Sequence, residues 1–230
     1  MQNSLRRQVM TEELKNHFET VAEYLKNFEK EKTLDYCMKL LRDGTVSVPV
    51  LYEDILAPAL NRITMLRAEE DSLIWQEHVM TSIVRSIIES AHPFVLKERA
   101  QVEKNGSSGK VVLVCPEDEY HELGIRMGAD FFTIANYEAV YIGCNTPREN
   151  IISAVQSLKP DIVDIGVSNL FYLVSLKKII AELKEKIDPR IKIAVSGSAF
   201  GRTGKTAGDF GADVIINSFA DITALGREQP

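Results

Sequence analysis

At 230 residues the chain has room for one or two domains with real cores. Its hydrophobic fraction of 45% and charged fraction of 26% are those of an ordinary globular protein, and a net charge of -6 argues against a nucleic-acid partner held through its phosphates. No apolar run approaches the roughly 20 residues of a membrane helix and no apolar core follows the basic N-terminus, so the expectation is a cytoplasmic protein without membrane or direct nucleic-acid contacts.

Residues 1–98 carry almost no strand signal and one glycine, Gly44. Leu14, Phe18, Val21, Tyr24, Leu25 and Phe28 recur at helical spacing and predict a first amphipathic helix over about 8–29. Thr33 reads as the cap of a second helix, with Leu34, Cys37, Met38 and Leu41 on one face and an end near Asp43-Gly44. Val50, Leu51, Ile55, Leu56, Leu60 and Ile63 mark a third, in which Pro58 predicts a kink. Leu73, Ile74, Val79, Ile83, Val84, Ile87 and Ile88 mark a fourth, ending near His92-Pro93. Four helices with short connections predict a helical bundle, and its apolar faces suit self-association into a homo-oligomer.

Residues 99–110, with Asn-Gly-Ser-Ser-Gly inside them, read as a flexible polar linker between two textures. Over 111–230 the pattern alternates. Strands are predicted at 111–114, 139–143, 161–166, 191–195 and 213–216. Helices are predicted between them at about 122–137, 147–158, 171–187 and 203–210, with a last one near 218–226. Alternating strands and helices predict a doubly wound parallel sheet, and five strands suit the flavodoxin-like, Rossmann-like order 2-1-3-4-5. The fold class is therefore α plus α/β, a four-helix bundle followed by a five-stranded sheet domain. Cys37, Cys115 and Cys144 are odd in number and widely spaced, which fits neither a disulfide framework nor a zinc pattern.

Open α/β sheets bind ligands at the carboxyl ends of their strands. The loop after the first predicted strand carries Glu119 and His121. The third carries Gly166-Val167-Ser168-Asn169-Leu170 and the fourth Ser196-Gly197-Ser198-Ala199-Phe200-Gly201. Small residues there leave a slot, a histidine beside it can ligate a metal, and a nearby carboxylate can hold the other ring nitrogen. The ordinary alternative is a solvated loop histidine beside helix-entry residues. Ala199 to Thr206 loosely fits a phosphate loop, but it follows the fourth strand and leads into a short, glycine-broken helix, which argues against nucleotide hydrolysis. His17 and His92 read as helix-surface residues, and the acidic runs at 29–32 and 69–71 as solvated faces.

From about residue 30 to 225 the chain resembles a cobalamin (vitamin B12)-binding module with its helical cap. The family pattern is Asp-x-His-x-x-Gly, then Ser-x-Leu, then a Gly-Gly turn. Here the matching positions are Glu119-Tyr120-His121-Glu122-Leu123-Gly124, then Ser168-Asn169-Leu170, then Ser196-Gly197. The resemblance implies base-off binding of cobalamin, in its adenosyl or methyl form. His121 would be the lower axial cobalt ligand, and the nucleotide tail would lie in a slot lined by Ser168 and Gly197. Two positions depart from the pattern. Glu119 is one methylene longer than aspartate, which predicts a shifted or absent bond to the imidazole. Ser196 replaces a glycine, which predicts a narrower slot or an added hydrogen bond.

Trp75-Gln76-Glu77-His78 in the fourth predicted helix resembles the cap of light-sensing, cobalamin-dependent relatives of MerR-type regulators. That resemblance implies His78 as an upper axial cobalt ligand, with Trp75 and Glu77 beside the corrin. The tryptophan those proteins carry ten residues before the glutamate is Arg67 here, and the sequence is read as having no DNA-binding domain. Two functions compete: a cobalamin-binding, light-responsive sensor that is not itself an enzyme, read by a partner protein, and a corrinoid methyl carrier of a methyltransferase system.

Overall fold

The computed structural model describes residues 11–66, 74–102 and 107–225, the side chains of 63–66 excepted. The predicted helix start near 8, the side chain of Ile63, Arg67, the acidic run 69–71, Leu73, the Asn105-Gly106 part of the linker and the last helix's end at 226 lie outside that description. The chain forms two compact units, Met1–Phe94 and Val95–Pro230.

The first unit is helical. Helix α1 (Glu12–Lys26) starts at Thr11, whose side chain accepts the Leu14 N–H, and buries Val21 and Leu25. Helix α2 is Lys30–Arg42. Its N-cap is Glu29, not Thr33: the threonine lies inside the helix and its hydroxyl bonds back to the Glu29 carbonyl at 2.7 Å. Helix α3 (Val48–Val50) runs directly into a π-helical turn, Leu51–Leu56, and then helix α4 (Ala57–Leu66). The widened turn stands just before Pro58, which has no N–H to offer the preceding turn, so the ladder shifts register. The structure thus meets Pro58 with a π-turn. Helix α5 (Ile74–Arg99) does not end at His92-Pro93: Pro93 sits inside it. Leu51, Tyr52, Ile55, Leu56, Val84 and Ile87 are fully buried, and burial of each aliphatic one among them contributes about 1.5–3 kcal/mol.

The second unit holds the sheet. Strands β1 (Lys110–Pro116), β2 (Glu138–Thr146), β3 (Ile162–Gly166), β4 (Lys192–Ser196) and β5 (Val214–Ile216) are parallel, in the order β2-β1-β3-β4-β5. Helices α6 (Leu123–Ile134), α7 (Arg148–Leu158), α8 (Leu173–Lys186), α9 (Ser198–Gly201) and α10 (Phe219–Leu225) connect or follow them. The helix expected at 203–210 is instead divided. Helix α9 begins straight after β4, and a separate 3-10 turn, Ala207–Phe210, follows at the Thr206 capping box. Glycines at 201, 204, 208 and 211 stop a longer helix from propagating.

Strand alternation sorts the sheet into two faces. Val112, Val114, Val163, Ile165, Ile193 and Val195 pack with α7 and α8 in one buried core. Leu113, Cys115, Asp164, Gly166, Ala194 and Ser196 occupy the other face by register. There α6 comes so close that a Cβ on Gly166 would lie 2.8 Å from Ile125 Cδ1. Phe131 of α6 meets Phe219 of α10 with ring centroids 5.5 Å apart.

Candidate functional site

The chain reverses direction across the sheet between β1 and β3, because β2 lies outside β1 on one side and β4 outside β3 on the other. The loops leaving the carboxyl ends of β1 and β3 diverge there, which opens a crevice in folds of this kind. Glu119 and His121 stand on the first loop, Ser168 and Asn169 on the second.

Glu119 ties the two loops together. Its side chain is fully buried. Oε1 accepts His121 Nδ1–H at 2.6 Å and the His121 backbone N–H at 3.0 Å. Oε2 accepts the backbone N–H groups of Ser168 at 2.8 Å and Asn169 at 3.0 Å. Burial alone would raise this carboxyl's pKa. The four hydrogen bonds outweigh it and hold the group at about 2, so Glu119 is an anion. The extra methylene relative to aspartate does not cost the imidazole contact. It lets one carboxylate serve both the histidine and the β3 loop.

The His121 ring is 58% exposed. A proton on Nδ1 shared with Glu119 leaves Nε2 as the nitrogen that a neutral ring can offer to a transition metal. No cluster of three or more metal-ligating side chains occurs among the described residues.

The loop around Glu119 is pinned from β2. Asp118, at φ 67°, donates its N–H to Asn145 Oδ1 at 2.9 Å, and the Asn145 N–H returns to the Glu119 carbonyl at 3.0 Å. Asn145 was missed by sequence reasoning. Its only signal is an asparagine at a strand end, able to adopt positive φ and to bond a neighbouring turn. Tyr141, also unforeseen, donates to Glu122 Oε2 at 2.5 Å beside the histidine.

The other predicted residues fall around the crevice in differing ways. Ser168 contributes backbone: its N–H holds Glu119, and its carbonyl accepts Ser198 Oγ at 3.2 Å. Leu170 and Tyr120 are exposed. Gly124 faces open space, where an added Cβ would meet no protein atom within 4 Å. Gly197, at φ 108°, is required by the backbone, since a Cβ there would sit 2.3 Å from the Val167 carbonyl oxygen. Ser196 Oγ donates to Asp164 Oδ2 at 3.1 Å, so the serine makes a bond that glycine could not. In the first unit, Trp75 rests against Phe28 with centroids 5.5 Å apart and is otherwise exposed, as is His78, while Glu77 is half-buried.

Residues 109–224 match the family model described as "B12 binding domain". A corrinoid protein of Desulfitobacterium hafniense is 29% identical over 124 residues, 53% of this chain and 56% of that protein, so the chain spans little more than half of that relative's length. Trimethylamine corrinoid protein 1 of Methanosarcina mazei is 25% identical over 158 residues, 67% of this chain and 71% of the relative. The structure of the monomethylamine corrinoid protein of Methanosarcina barkeri shares the fold, with a TM-score of 0.79 at 16% identity, over 93% of this chain and 98% of that one. A helical unit followed along the chain by a five-stranded parallel sheet is thus a known architecture. Among the described residues no helix is long and apolar enough to cross a membrane.

Proposed function

This chain belongs to the B12-binding domain family and is a corrinoid-binding protein, and we propose that it works as a methyl carrier, serving partner methyltransferases rather than catalysing a reaction itself. The observation that carries the reading is the exposed imidazole of His121, fixed from behind by a buried anion at the switch point of the sheet. The names of the similar proteins support the methyl-carrier form, since they join a corrinoid to methylated amines. The light-sensing reading with His78 as upper ligand draws no such support.

In this reading His121 would hold the corrinoid's cobalt through Nε2, in place of the corrinoid's own base. When bound, the cobalt supplies a centre that accepts a methyl group from one donor and yields it to another acceptor. Glu119 keeps the imidazole in its ligating tautomer and orientation. The backbone of Ser168, with Gly197, Leu170 and the open position at Gly124, borders the entry for the macrocycle and its tail. In its working form the bound corrinoid would carry the methyl group. A partner methyltransferase supplies substrate specificity, and self-association through the helical unit is compatible with this role.

The test is direct. The protein is mixed with hydroxocobalamin, desalted, reduced and treated with methyl iodide, then given a thiol acceptor and a corrinoid-dependent methyltransferase. Retained cobalamin and transfer of the methyl group to the thiol support the carrier. Retention without transfer, with a spectrum that changes on illumination only while His78 is present, supports the sensor. Loss of cobalamin on desalting overturns both.

A further inference from the structure

Asp164 is a buried acid in the middle of β3, two residues before Gly166, on the sheet face shared with Leu113, Ala194 and Ser196. Its side chain is 1% exposed. One oxygen, Oδ2, accepts the Ser196 hydroxyl. The other, Oδ1, has no hydrogen-bond partner among the described residues. Native folds seldom leave a buried carboxyl oxygen unmatched, because such a group loses water and receives nothing in return.

Position suggests what would match it. Extended strand advances about 3.3 Å per residue, so Asp164 lies roughly 7 Å beneath the carboxyl end of β3, close under the His121 crevice. Between it and that edge stand small residues: Gly166 on β3, Ser196 and Gly197 at the end of β4. Ile125 of α6, a flexible aliphatic chain, lies over Gly166. The inference rests on the cobalamin reading. If His121 takes the lower position of cobalt, the corrinoid's own base must leave it. That base stays tied to the ring by its nucleotide loop and must be housed a short distance below, along this seam.

We propose that Asp164, held by Ser196, is the specificity-determining residue for the lower base of the corrinoid, and that it selects a cobamide with an aminopurine base over one with dimethylbenzimidazole. An aminopurine offers an exocyclic N–H donor to Oδ1, next to a ring nitrogen that can accept. Dimethylbenzimidazole offers one ring nitrogen, no donor and a benzo edge carrying two methyl groups. With that base the buried oxygen stays unmatched. Sites built to hydrogen-bond a ligand discriminate most strongly against the analogue that leaves them unpaired. Burial pushes the Asp164 carboxyl up to about 7 against the pull of the Ser196 bond. Both protonation states are then accessible near neutral pH, and the adjacent donor and acceptor of an aminopurine satisfy either.

The experiment compares the adenine-containing cobamide with hydroxocobalamin, both in the hydroxo form, by absorbance-monitored titration and desalting. Wild-type protein is expected to bind the adenine form roughly ten-fold or more tightly, the worth of one buried hydrogen bond to a charged group. Asp164→Leu is expected to bring the two within about three-fold of each other, since neither base then meets a buried carboxyl. Asp164→Asn, nearly isosteric and more certain to fold, keeps an acceptor and falls between the two. Equal wild-type affinities, or a preference unchanged in Asp164→Leu, overturn the assignment while leaving cobalamin binding intact. Retention of neither cobamide by wild type overturns it together with the reading beneath it.

Discussion

Ser168 and Glu119 stand 49 positions apart in the chain, and the backbone N–H of the first donates to Oε2 of the second at 2.8 Å. That bond, with its neighbour from Asn169, crosses the switch point of the sheet. It means the histidine's orienting carboxylate is anchored from the opposite loop and not merely by its own turn. The imidazole is therefore positioned before any ligand arrives.

Removing that anchor should loosen both loops. Glu119→Ala strands the N–H groups of Ser168 and Asn169 and frees the His121 ring. The expected cost is about 3 kcal/mol of unfolding free energy in urea titration, from unsatisfied buried donors. Corrinoid affinity should fall about 10- to 100-fold, the usual penalty for losing the group behind a metal-bound histidine.

Direct ligation can be read without any turnover. Protein labelled with 15N-histidine and loaded with cobalamin in the cobalt(II) state should show an electron paramagnetic resonance splitting characteristic of 15N, where unlabelled protein shows that of 14N. His121→Ala should abolish the difference and lower retention of cobalamin. An isotope-independent splitting would mean that the corrinoid's own base stays on cobalt.

Gly197→Ala should be far more damaging than Gly124→Ala. The first forces a side chain into φ 108° and a Cβ to 2.3 Å from the Val167 carbonyl oxygen, whereas the second meets open space. Backbone strain alone should cost about 1–3 kcal/mol at Gly197, with the clash added to it. At Gly124 unfolding free energy should hold steady or rise slightly, and only corrinoid binding should suffer. Denaturation and titration of the two variants side by side separate the roles.

Glu119 and Asp164 should give stability opposite dependences on pH. Glu119 is depressed from an ordinary 4.5 to about 2, so its contribution is complete above 4.5 and is lost as pH falls towards 2. Asp164 is raised from 3.8 to about 7, so the native state prefers its protonated form. Its penalty is absent below 3.8 and grows as pH rises towards 7. Asp164→Asn should therefore match wild type near pH 3.8 and exceed it in melting temperature above pH 7. Thermal unfolding followed across that range checks both signs.

Much of the sheet unit was legible because its signals are local and repeated. Runs such as Val111-Val112-Leu113-Val114 announce buried parallel strands, and the loops after them announce where a ligand sits. Glu119 and His121, two residues apart, could be paired by spacing alone. The reach of Glu119 to Ser168 could not, because it depends on how two distant loops meet. Asp164 was passed over for the same reason. Within Asp161-Ile-Val-Asp-Ile-Gly it reads as one polar residue in a strand, and its significance lies in the burial and the single bond the sheet imposes. In the helical unit the structure departs from residue preference where backbone hydrogen bonding overrides it. Thr33 serves as an interior residue under the Glu29 cap, Pro58 is absorbed by a π-turn, and Pro93 lies inside α5.

The chain's only tryptophan, Trp75, sits against Phe28 in the helical unit. That arrangement makes the protein its own optical gauge. Indole emission comes from a single site in the helical unit, so its wavelength reports on the surroundings of Trp75. Its intensity will also register a coloured macrocycle through energy transfer, which needs no contact. Wavelength and brightness followed together would thus separate repacking of the helices from arrival of the corrinoid, in one cuvette and without a label.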